Sequence, residues 1–236
     1  IAKSVYEAEI LKRIGFDALI LENMHDVPYL KRKAGPEITA AMTAVLCAVR
    51  EAVDCPLGVQ ILAGLNREAL AASLAGGAEF IRAEGFVYAH VADEGIMESD
   101  AGELLRYRKN IGAEHIRIFT DIKKKHSSHS ITEDVKLEET AATAEFFGSD
   151  ALIVTGTATG TPTQGKDLMR VSTATSLPVF VGSGTNPDNI VELWDYASGF
   201  IIGSWIKEEG LWKNPIDEDR AVKIMETVKG LRVKET

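Results

Sequence analysis

Two short segments near the C-terminal end of the sequence have the residue types of phosphate-binding turns, and each directly follows an apolar run. Glycines let backbone amides approach an anion closely, and serine and threonine hydroxyls add further donors. Asn186 followed by Pro187 is typical of a helix start whose free amides would face the ligand. We predict that the two turns hold one phosphate group, although tight turns without a ligand would have the same composition. The predicted phosphate-binding residues are Gly182, Ser183, Gly184, Thr185, Gly203 and Ser204.

A carboxylate and a lysine at the end of another apolar run have the spacing of an acid/base pair. Side chains alternate along a strand, so Asp121 and Lys123 should point to the same side. If that side is the interior of a barrel, a desolvated lysine beside a carboxylate suits general acid/base or Schiff-base chemistry. Glu22 offers a second carboxylate, and we predict these three residues to be catalytic. A solvated basic turn at residues 123–125 is the alternative, and it is the favoured interpretation for Lys124.

Further polar residues follow the predicted strands. Arg82 has the fork geometry to bind a phosphate or to pair with a carboxylate inside a barrel. Residues 155–161 are rich in hydroxyls and glycines and could line a sugar or phosphate. Residues 85–99 form a long loop that could act as a lid. The additional predicted ligand-binding residues are Asn23, Arg82, Thr155 and Gly156.

Carboxylate, amide and imidazole groups near two of these strand ends could hold a divalent cation, because hard cations prefer oxygen ligands. No HxH or HExxH spacing supports this hypothesis. The sequence specifies no cofactor, and a divalent metal ion stays a hypothesis whose candidate ligands are Glu22, Asp26, Asp121 and His126.

An alternation of strands and helices must position these residues. Apolar residues with a 3.6-residue period predict amphipathic helices, for example over residues 38–49 and 221–228. Short, uniformly apolar runs predict strands that are buried on both faces of a parallel sheet. Seven such runs occur, at residues 18–21, 58–62, 79–82, 116–119, 151–154, 179–181 and 200–202.

Repeated βα units over 236 residues predict an α/β fold, a single-domain TIM (β/α)8 barrel spanning residues 1–236. Seven strands are one short of that fold, so we expect the first strand to precede residue 1. An open doubly wound sheet is the alternative, but its glycine-rich loop usually follows the first strand. In a barrel, the predicted phosphate turns take the usual place of phosphate sites, after the last two strands.

The composition argues against several classes of function. With 35 acidic and 26 basic side chains the net charge is -9, which repels nucleic-acid backbones. No apolar run approaches the roughly 20 residues of a membrane-spanning helix. Cys47 and Cys55 lack a CxxC spacing and are predicted to be small core residues, which indicates a reducing compartment such as the cytoplasm or an organelle interior. A homo-oligomer stays open, because barrels often pair but no interface signature is visible.

Several of these motifs, in this order along the chain, resemble the BtpA/SgcQ family. The resemblance implies a TIM barrel of the ribulose-phosphate-binding kind, whose first strand would precede residue 1. The family takes its name from a protein needed for photosystem I biogenesis in cyanobacteria, and its members are generally called predicted TIM-barrel enzymes. Trp205 departs from the smaller or aliphatic residues common at this turn of related phosphate-binding barrels, which affects the size of a phosphate cup. The motifs are residues 21–23 with Asp26 and Pro28, then 35–37, 56–60, 80–82, 105–108, 120–126, 181–184 and 203–207.

Two functions follow as alternatives. The first is an enzyme, a lyase or isomerase, that binds a small phosphorylated metabolite such as a sugar phosphate and acts by proton transfer, aldol-type cleavage or isomerisation. The second is a non-catalytic photosystem I biogenesis or assembly factor that acts through protein contacts. Ordered clusters of ionisable residues at strand ends favour the enzyme, because polar groups in a barrel mouth bring no stability of their own.

Overall fold

The computed structural model describes residues 1–124, 126–156, 163 and 165–234. Within these residues, eight α-helices alternate with strands along the chain, as the sequence predicts. The helices are α1 (Ala2–Ile14), α2 (Pro36–Ala52), α3 (Asn66–Gly76), α4 (Ala101–Asn110), α5 (Leu137–Phe146), α6 (Gly165–Ala174), α7 (Asn189–Leu193) and α8 (Glu218–Lys234).

Seven strands form one parallel sheet, and they coincide with the seven apolar runs to within three residues at either end. Their order in space is their order in the chain, which is the arrangement of a (β/α) barrel. Parallel neighbours place all their carboxyl ends at one end of the sheet. The strands are β1 (Leu19–Glu22), β2 (Leu57–Gln60), β3 (Phe80–Ala83), β6 (Arg117–Ile122), β8 (Ala151–Val154), β9 (Val179–Val181) and β10 (Gly199–Phe200).

A second, three-stranded antiparallel sheet lies in the connections that follow β3 and β6, where the sequence predicted only loops. It consists of β4 (His90–Ala92), β5 (Gly95–Met97) and β7 (Ser127–Ser128), with β4 in the centre. The expected lid at residues 85–99 is therefore a hairpin that pairs with the loop after β6. This pairing ties two neighbouring βα connections together.

Strands β1 and β10 are the two edges of the seven-stranded sheet, so the barrel formed by the described residues is open on one side. An apolar cleft of about 710 Å³ is lined by residues of both edge strands, among them Leu19, Ile20 and Phe200. The expected eighth strand upstream of residue 1 stays a prediction.

Helices α2 and α8 each bury one apolar stripe. Helix α2 buries Met42, Leu46 and Val49, which lie three or four residues apart and therefore share one face. Full burial of a side chain such as Leu46 contributes about 1.5–3 kcal/mol. In α8 the predicted stripe is confirmed, because Ala221, Ile224, Met225 and Val228 are all buried.

The two cysteines differ in exposure. Cys55 is buried, as predicted, but Cys47 is exposed on α2, so the prediction that it is a core residue is wrong. Cys47 follows the buried Leu46 by one position, and one step along a helix turns the side chain away from the buried stripe. None of the described helices is long and apolar enough to cross a bilayer.

Candidate functional site

Arg82 is the centre of a buried charge network at the carboxyl ends of the strands. Its side chain projects from β3 and forms a two-pronged pair with Asp121 of β6, in which Nε and Nη2 each lie 2.9 Å from a carboxylate oxygen. Nη1 donates to Glu22 Oε1 of β1 at 3.3 Å. The Arg82 and Asp121 side chains are only 6% and 1% exposed, whereas Glu22 is 21% exposed. The network therefore joins three strand ends around one cation.

Neighbouring carboxylates keep Arg82 positively charged. Burial alone would lower the pKa of the guanidinium, but the nearby carboxylates of Asp121 and Glu22 outweigh burial and raise the pKa above its ordinary value. Arg82 thus stays cationic at every physiological pH. Because Asp121 gives both oxygens to Arg82, Glu22 is the carboxylate of this network that is more available to a ligand.

A second buried network lies beside the first. Glu84, just after β3, accepts a hydrogen bond from Gln60 Nε2 at 2.8 Å and pairs with Lys124 Nζ at 2.9 Å. Burial raises the pKa of Glu84, and the positive charge of Lys124 opposes that rise. The Lys124 side chain is only 10% exposed, so its interpretation as a solvated turn residue is wrong.

The predicted pairing of Asp121 with Lys123 is also wrong. Strand β6 ends at Ile122, and Lys123 adopts a positive φ of 46°, so the strand alternation stops before this residue. Lys123 Nζ donates to the carbonyl oxygen of Val135 at 2.7 Å instead. The left-handed backbone at Lys123 leaves the next lysine, Lys124, to enter the network of buried charges. This placement does not support the predicted catalytic role of Lys123.

The two predicted phosphate turns line one cavity of about 400 Å³. The turn after β9 contributes residues 182–186, and the turn after β10 contributes Gly203, Ser204 and Trp205. Glu22 and Arg82 line the same cavity, which therefore reaches the charge network. The geometry brings together the residues of both turns, as the barrel prediction requires, and phosphate binding itself stays a prediction.

Glycine is needed at two positions in the first turn. Gly184 has a φ of 67°, in the left-handed region that other residues adopt only with strain. At Gly182 a Cβ would lie 2.4 Å from Ile153 Cγ2 and 3.5 Å from Arg82 Nη2, so the backbone there passes close to the charge network. A Cβ at Gly203 would meet nothing within 4 Å.

Two buried donors that belong to the cavity lining have no hydrogen-bond partner among the described residues. They are Thr185 Oγ1, on a residue only 3% exposed, and Trp205 Nε1. An unpaired buried donor costs about 1–3 kcal/mol, so native proteins usually supply a partner. Both atoms therefore indicate a place for a bound acceptor.

Other predicted residues of this region bind neighbouring backbone. Asn186 Oδ1 accepts hydrogen bonds from the amides of Asp188 at 2.9 Å and Asn189 at 3.0 Å, so the expectation of free amides at this helix start is wrong. Ser183 Oγ accepts from the amide of Gly156 at 2.6 Å and joins the turns after β8 and β9. Thr155 lies beside Gly182, and residues 157–161 of the predicted hydroxyl-rich segment lie outside the described residues.

Cationic residues of α1, of α8 and of the segment after β10 complete the cavity, and sequence reasoning missed them as ligand-binding residues. Arg220, in the first turn of α8, donates from Nε to the carbonyl oxygen of Trp205 at 2.5 Å, and its guanidinium lies 4.0 Å from the centroid of the Trp205 ring. Lys207 Nζ pairs with Glu7 Oε2 at 2.9 Å, and Lys3 also lines the cavity. Lys207 follows a predicted turn directly, but no local signal brings α1 and α8 to that turn.

The loop after β1 has a positioning role. Asn23 Oδ1 accepts from the amide of Leu62 at 2.7 Å, and Asn23 Nδ2 donates to Asp26 Oδ2 at 3.2 Å. Because its amide is paired on both sides, the placement of Asn23 does not support the predicted ligand contact.

The described residues do not support the metal hypothesis, which stays untested. There, no three His, Cys, Asp or Glu side chains are grouped so that they could hold a metal ion. Arg82 pairs with both Glu22 and Asp121, so two of the four candidate ligands surround a cation that the protein itself supplies. Asp26 is paired with Asn23 in the loop after β1. Among the described residues, His126 belongs to no group of three such side chains.

Arg32 and Asp100 link the loops around the site, and no sequence signal identified them. The guanidinium of Arg32 donates to the carbonyl oxygens of Gly64 at 3.0 Å and Gly85 at 2.7 Å, and it forms a short ion pair with Asp100. Asn66 Nδ2 also donates to Asp100, at 2.9 Å. Burial raises the pKa of Asp100 to about 6, and Arg32 opposes that rise.

His90, on β4, lies beside the second network. It is 5% exposed, and burial together with the neighbouring His129 lowers the pKa of His90 to about 4. Its Nε2 has no hydrogen-bond partner among the described residues. A cavity of about 20 Å³ that is lined by His90, Asp121 and Lys124 has room for about one water molecule.

The fold and the position of the glycine turns define the protein as a TIM-barrel protein with its candidate site at the carboxyl ends of the strands. The chain belongs to the BtpA family, which it matches over residues 1–230. This agrees with the family resemblance of its motifs.

Relatives in distant organisms share almost the whole chain. It is 48% identical over 231 residues to a mitochondrial protein of Caenorhabditis elegans, an alignment that covers 96% of this chain and 83% of the relative. It is 34% identical over 236 residues to the photosystem I biogenesis protein BtpA of Synechocystis, with 99% of this chain and 82% of the relative covered.

Solved structures of enzymes share the fold. The (S)-3-O-geranylgeranylglyceryl phosphate synthase of Thermoplasma acidophilum, in complex with sn-glycerol-1-phosphate, superposes with a TM-score of 0.65 at 16% identity and covers 97% of this chain and 87% of its own. Phosphoribosyl anthranilate isomerase of Thermus thermophilus gives a TM-score of 0.63 at 14% identity, with 97% and 95% covered. At these identities the similarity shows the fold alone.

Proposed function

We propose that the protein is an enzyme that binds a small phosphorylated metabolite in the 400 Å³ cavity and moves a proton on it, as a lyase or isomerase does. The observation that carries this proposal is the single cavity that both glycine turns share with Glu22 and Arg82. Enzymes of the same fold that act on phosphate esters support it at the level of fold.

The charge of the cavity suits a phosphate monoester. The lining includes four cations, Lys3, Arg82, Lys207 and Arg220, and two carboxylates, Glu7 and Glu22, which leaves an excess of two positive charges. A phosphate monoester carries about -1.5 to -2 charges at pH 7. Thr185 Oγ1 and the backbone amides of the open turns supply uncharged donors that complete its recognition.

Glu22 and Arg82 have the properties of a proton-transfer pair. Glu22 is partly exposed to the cavity, while Arg82 is fixed by Asp121 and keeps its charge. A carboxylate at Glu22 removes a proton next to a carbonyl group of the ligand, and the guanidinium of Arg82 stabilises the oxyanion that forms. In this arrangement Asp121 positions Arg82 and does not touch the ligand.

Hydrogen exchange in D2O tests this proposal whatever product the enzyme forms. Phosphorylated aldoses, ketoses and keto acids are incubated with the protein, and replacement of carbon-bound hydrogen by deuterium is followed by NMR. We expect exchange with at least one ligand that raises the melting temperature, and we expect Glu22→Gln to lose the exchange while ligand binding persists. Ligands that bind without any exchange would contradict an enzyme of this class.

The alternative is a non-catalytic assembly factor that acts through protein contacts. The name of the Synechocystis relative suggests this role. An assembly role does not explain the buried arginine between two carboxylates at the strand ends. Burying charges costs stability, and a well-packed apolar core would avoid that cost. If no phosphorylated compound changes the melting temperature, the assembly role becomes the better proposal.

A further inference from the structure

We propose that the phosphorylated ligand carries a planar aromatic or heteroaromatic group, and that Trp212 and His25 bind this group. This inference rests on the function proposed above and adds the chemical class of the substrate. It concerns the part of the cavity lining that phosphate recognition does not use.

The cavity lining is of two kinds. The glycine turns, Thr185 and the cations Lys3, Lys207 and Arg220 are polar, whereas a second part consists of Met24, His25, Ile201 and two tryptophans. Trp205 and Trp212 are two of the three tryptophans in the whole chain. This concentration of large rings around one polar cup indicates an amphipathic ligand.

Trp212 and His25 belong to different loops and meet at the cavity. Their ring centroids are 5.2 Å apart with an interplanar angle of 56°. His25 Nε2 lies 3.5 Å from the carbonyl oxygen of Lys213, which also links the loop after β1 to the segment after β10. The tilted pair forms two non-parallel aromatic walls, a geometry that suits a ring placed against one face and one edge.

Trp205 is already committed to other contacts. The Arg220 guanidinium covers its ring at 4.0 Å, and that contact keeps the cation at the cavity. Trp212 is therefore the ring that is suited to contact the ligand directly.

The size of the cavity supports the same conclusion. A volume of about 400 Å³ is within the range of sites for complete small molecules and far exceeds the volume of a phosphate group. A purely aliphatic sugar phosphate would leave the aromatic walls in contact with water, whereas a planar ring would bury them and gain stacking contacts.

Matched pairs of compounds test the inference. Ribose 5-phosphate and AMP differ by one heteroaromatic base, and methyl phosphate and benzyl phosphate differ by one phenyl ring. Dissociation constants are measured by calorimetry for each compound and for inorganic phosphate. We expect the ring to tighten binding about tenfold in at least one pair, the size of a typical base–aromatic stack.

Two variants of Trp212 test whether its ring causes the gain in affinity. In Trp212→Ala the ratio of the two affinities within the responsive pair should fall to about one, and in Trp212→Phe, which keeps a ring, most of the gain should remain. Trp194→Phe is the control, because Trp194 stacks on Phe200 at 5.9 Å and does not line this cavity. Its ratio should equal that of the wild type.

The outcomes separate the inference from the proposed function. Binding of phosphate and of ribose 5-phosphate without any gain from a ring would overturn the inference and leave the proposed function standing. A gain that survives in Trp212→Ala would also overturn it. Failure of every phosphate compound to bind would overturn both.

Discussion

The Thr185 hydroxyl is the donor that we most directly expect to contact the ligand. It is buried in the cavity and has no hydrogen-bond partner among the described residues. Thr185→Val keeps the shape of the side chain and removes this donor. We expect the affinity for inorganic phosphate to fall about tenfold, since a hydrogen bond to a charged group contributes about 1.5–3 kcal/mol. Calorimetric titration measures the change.

The same variant should keep or slightly raise the free energy of unfolding, because it removes an unsatisfied buried group. Thr43→Val is a matched control, since that hydroxyl donates to the carbonyl oxygen of Thr39 within α2, away from the cavity. Equal phosphate affinities in the wild type and in Thr185→Val would rule out the assigned contact.

Asp121 and Lys123, only two positions apart, should respond very differently to removal. Asp121→Ala leaves the Arg82 guanidinium buried without its two-pronged partner, and we expect a loss of about 3–5 kcal/mol in the free energy of unfolding. Lys123→Ala removes one hydrogen bond to a carbonyl oxygen and should cost about 1 kcal/mol. Urea unfolding of both variants provides the comparison, and similar losses would refute the assignment of these two side chains.

Among the structural elements, the two glycine turns differ in how closely other atoms approach them. Gly182→Ala places a Cβ 2.4 Å from Ile153 Cγ2, and overpacking of this kind costs about 1–3 kcal/mol. Gly203→Ala meets nothing within 4 Å and should leave the melting temperature unchanged. A thermal-denaturation series of the two variants distinguishes them, and an equal tolerance of alanine would contradict the close packing of the first turn.

The connections between strands and helices hold two groups whose titration has opposite effects on stability. The raised pKa of Asp100, about 6 against its ordinary 3.8, means that the folded protein holds this proton more tightly, so the stability contribution of Asp100 falls as the pH rises from about 4 to 6. The lowered pKa of His90, about 4 against 6.5, means that its contribution falls as the pH decreases from 6.5 to 4.

Without Asp100, the pH dependence of stability that His90 causes should be visible. Asp100→Asn tests this. The variant loses the stability contribution of Asp100, which is roughly 3 kcal/mol for a carboxyl whose pKa rises from 3.8 to about 6. We expect its free energy of unfolding to rise with pH between 4 and 6.5 more steeply than that of the wild type. Chemical unfolding at pH 4.5 and pH 6.5 measures both slopes, and identical slopes would show that Asp100 ionises at its ordinary pKa.

The elements of the barrel could be predicted from the sequence because their strands are short apolar runs, of which β2, β3 and β8 are buried at every position. Strands β4, β5 and β7 could not, since their pairing joins residues of two different connections and leaves no local pattern in the sequence. The sequence predicted Lys123 beside the buried carboxylates, but Lys124 takes that place. The cause is one left-handed backbone conformation, at Lys123 after the end of β6. The contribution of Arg220 depends on how α8 packs back against the turn after β10, which lies 15 residues earlier at Trp205.

At the scale of the whole molecule, the charge of the cavity lining is opposite in sign to the net charge of the chain. The chain has a net charge of -9, yet the lining beside the glycine turns carries an excess of two positive charges. A surrounding negative surface repels polyanions such as nucleic acids, whereas a small anion that enters the cavity meets the local cations. The single-domain organisation and a homo-oligomer stay predictions.

A crystal structure with ribose 5-phosphate at saturating concentration is the most direct test of the convergence of both glycine turns on one phosphate group. We predict phosphate density within hydrogen-bond distance, roughly 3 Å, of Thr185 Oγ1 and of the backbone amides of Gly184 and Ser204. Density for the phosphate at any other place, or a cavity that contains only water, would contradict the proposed site.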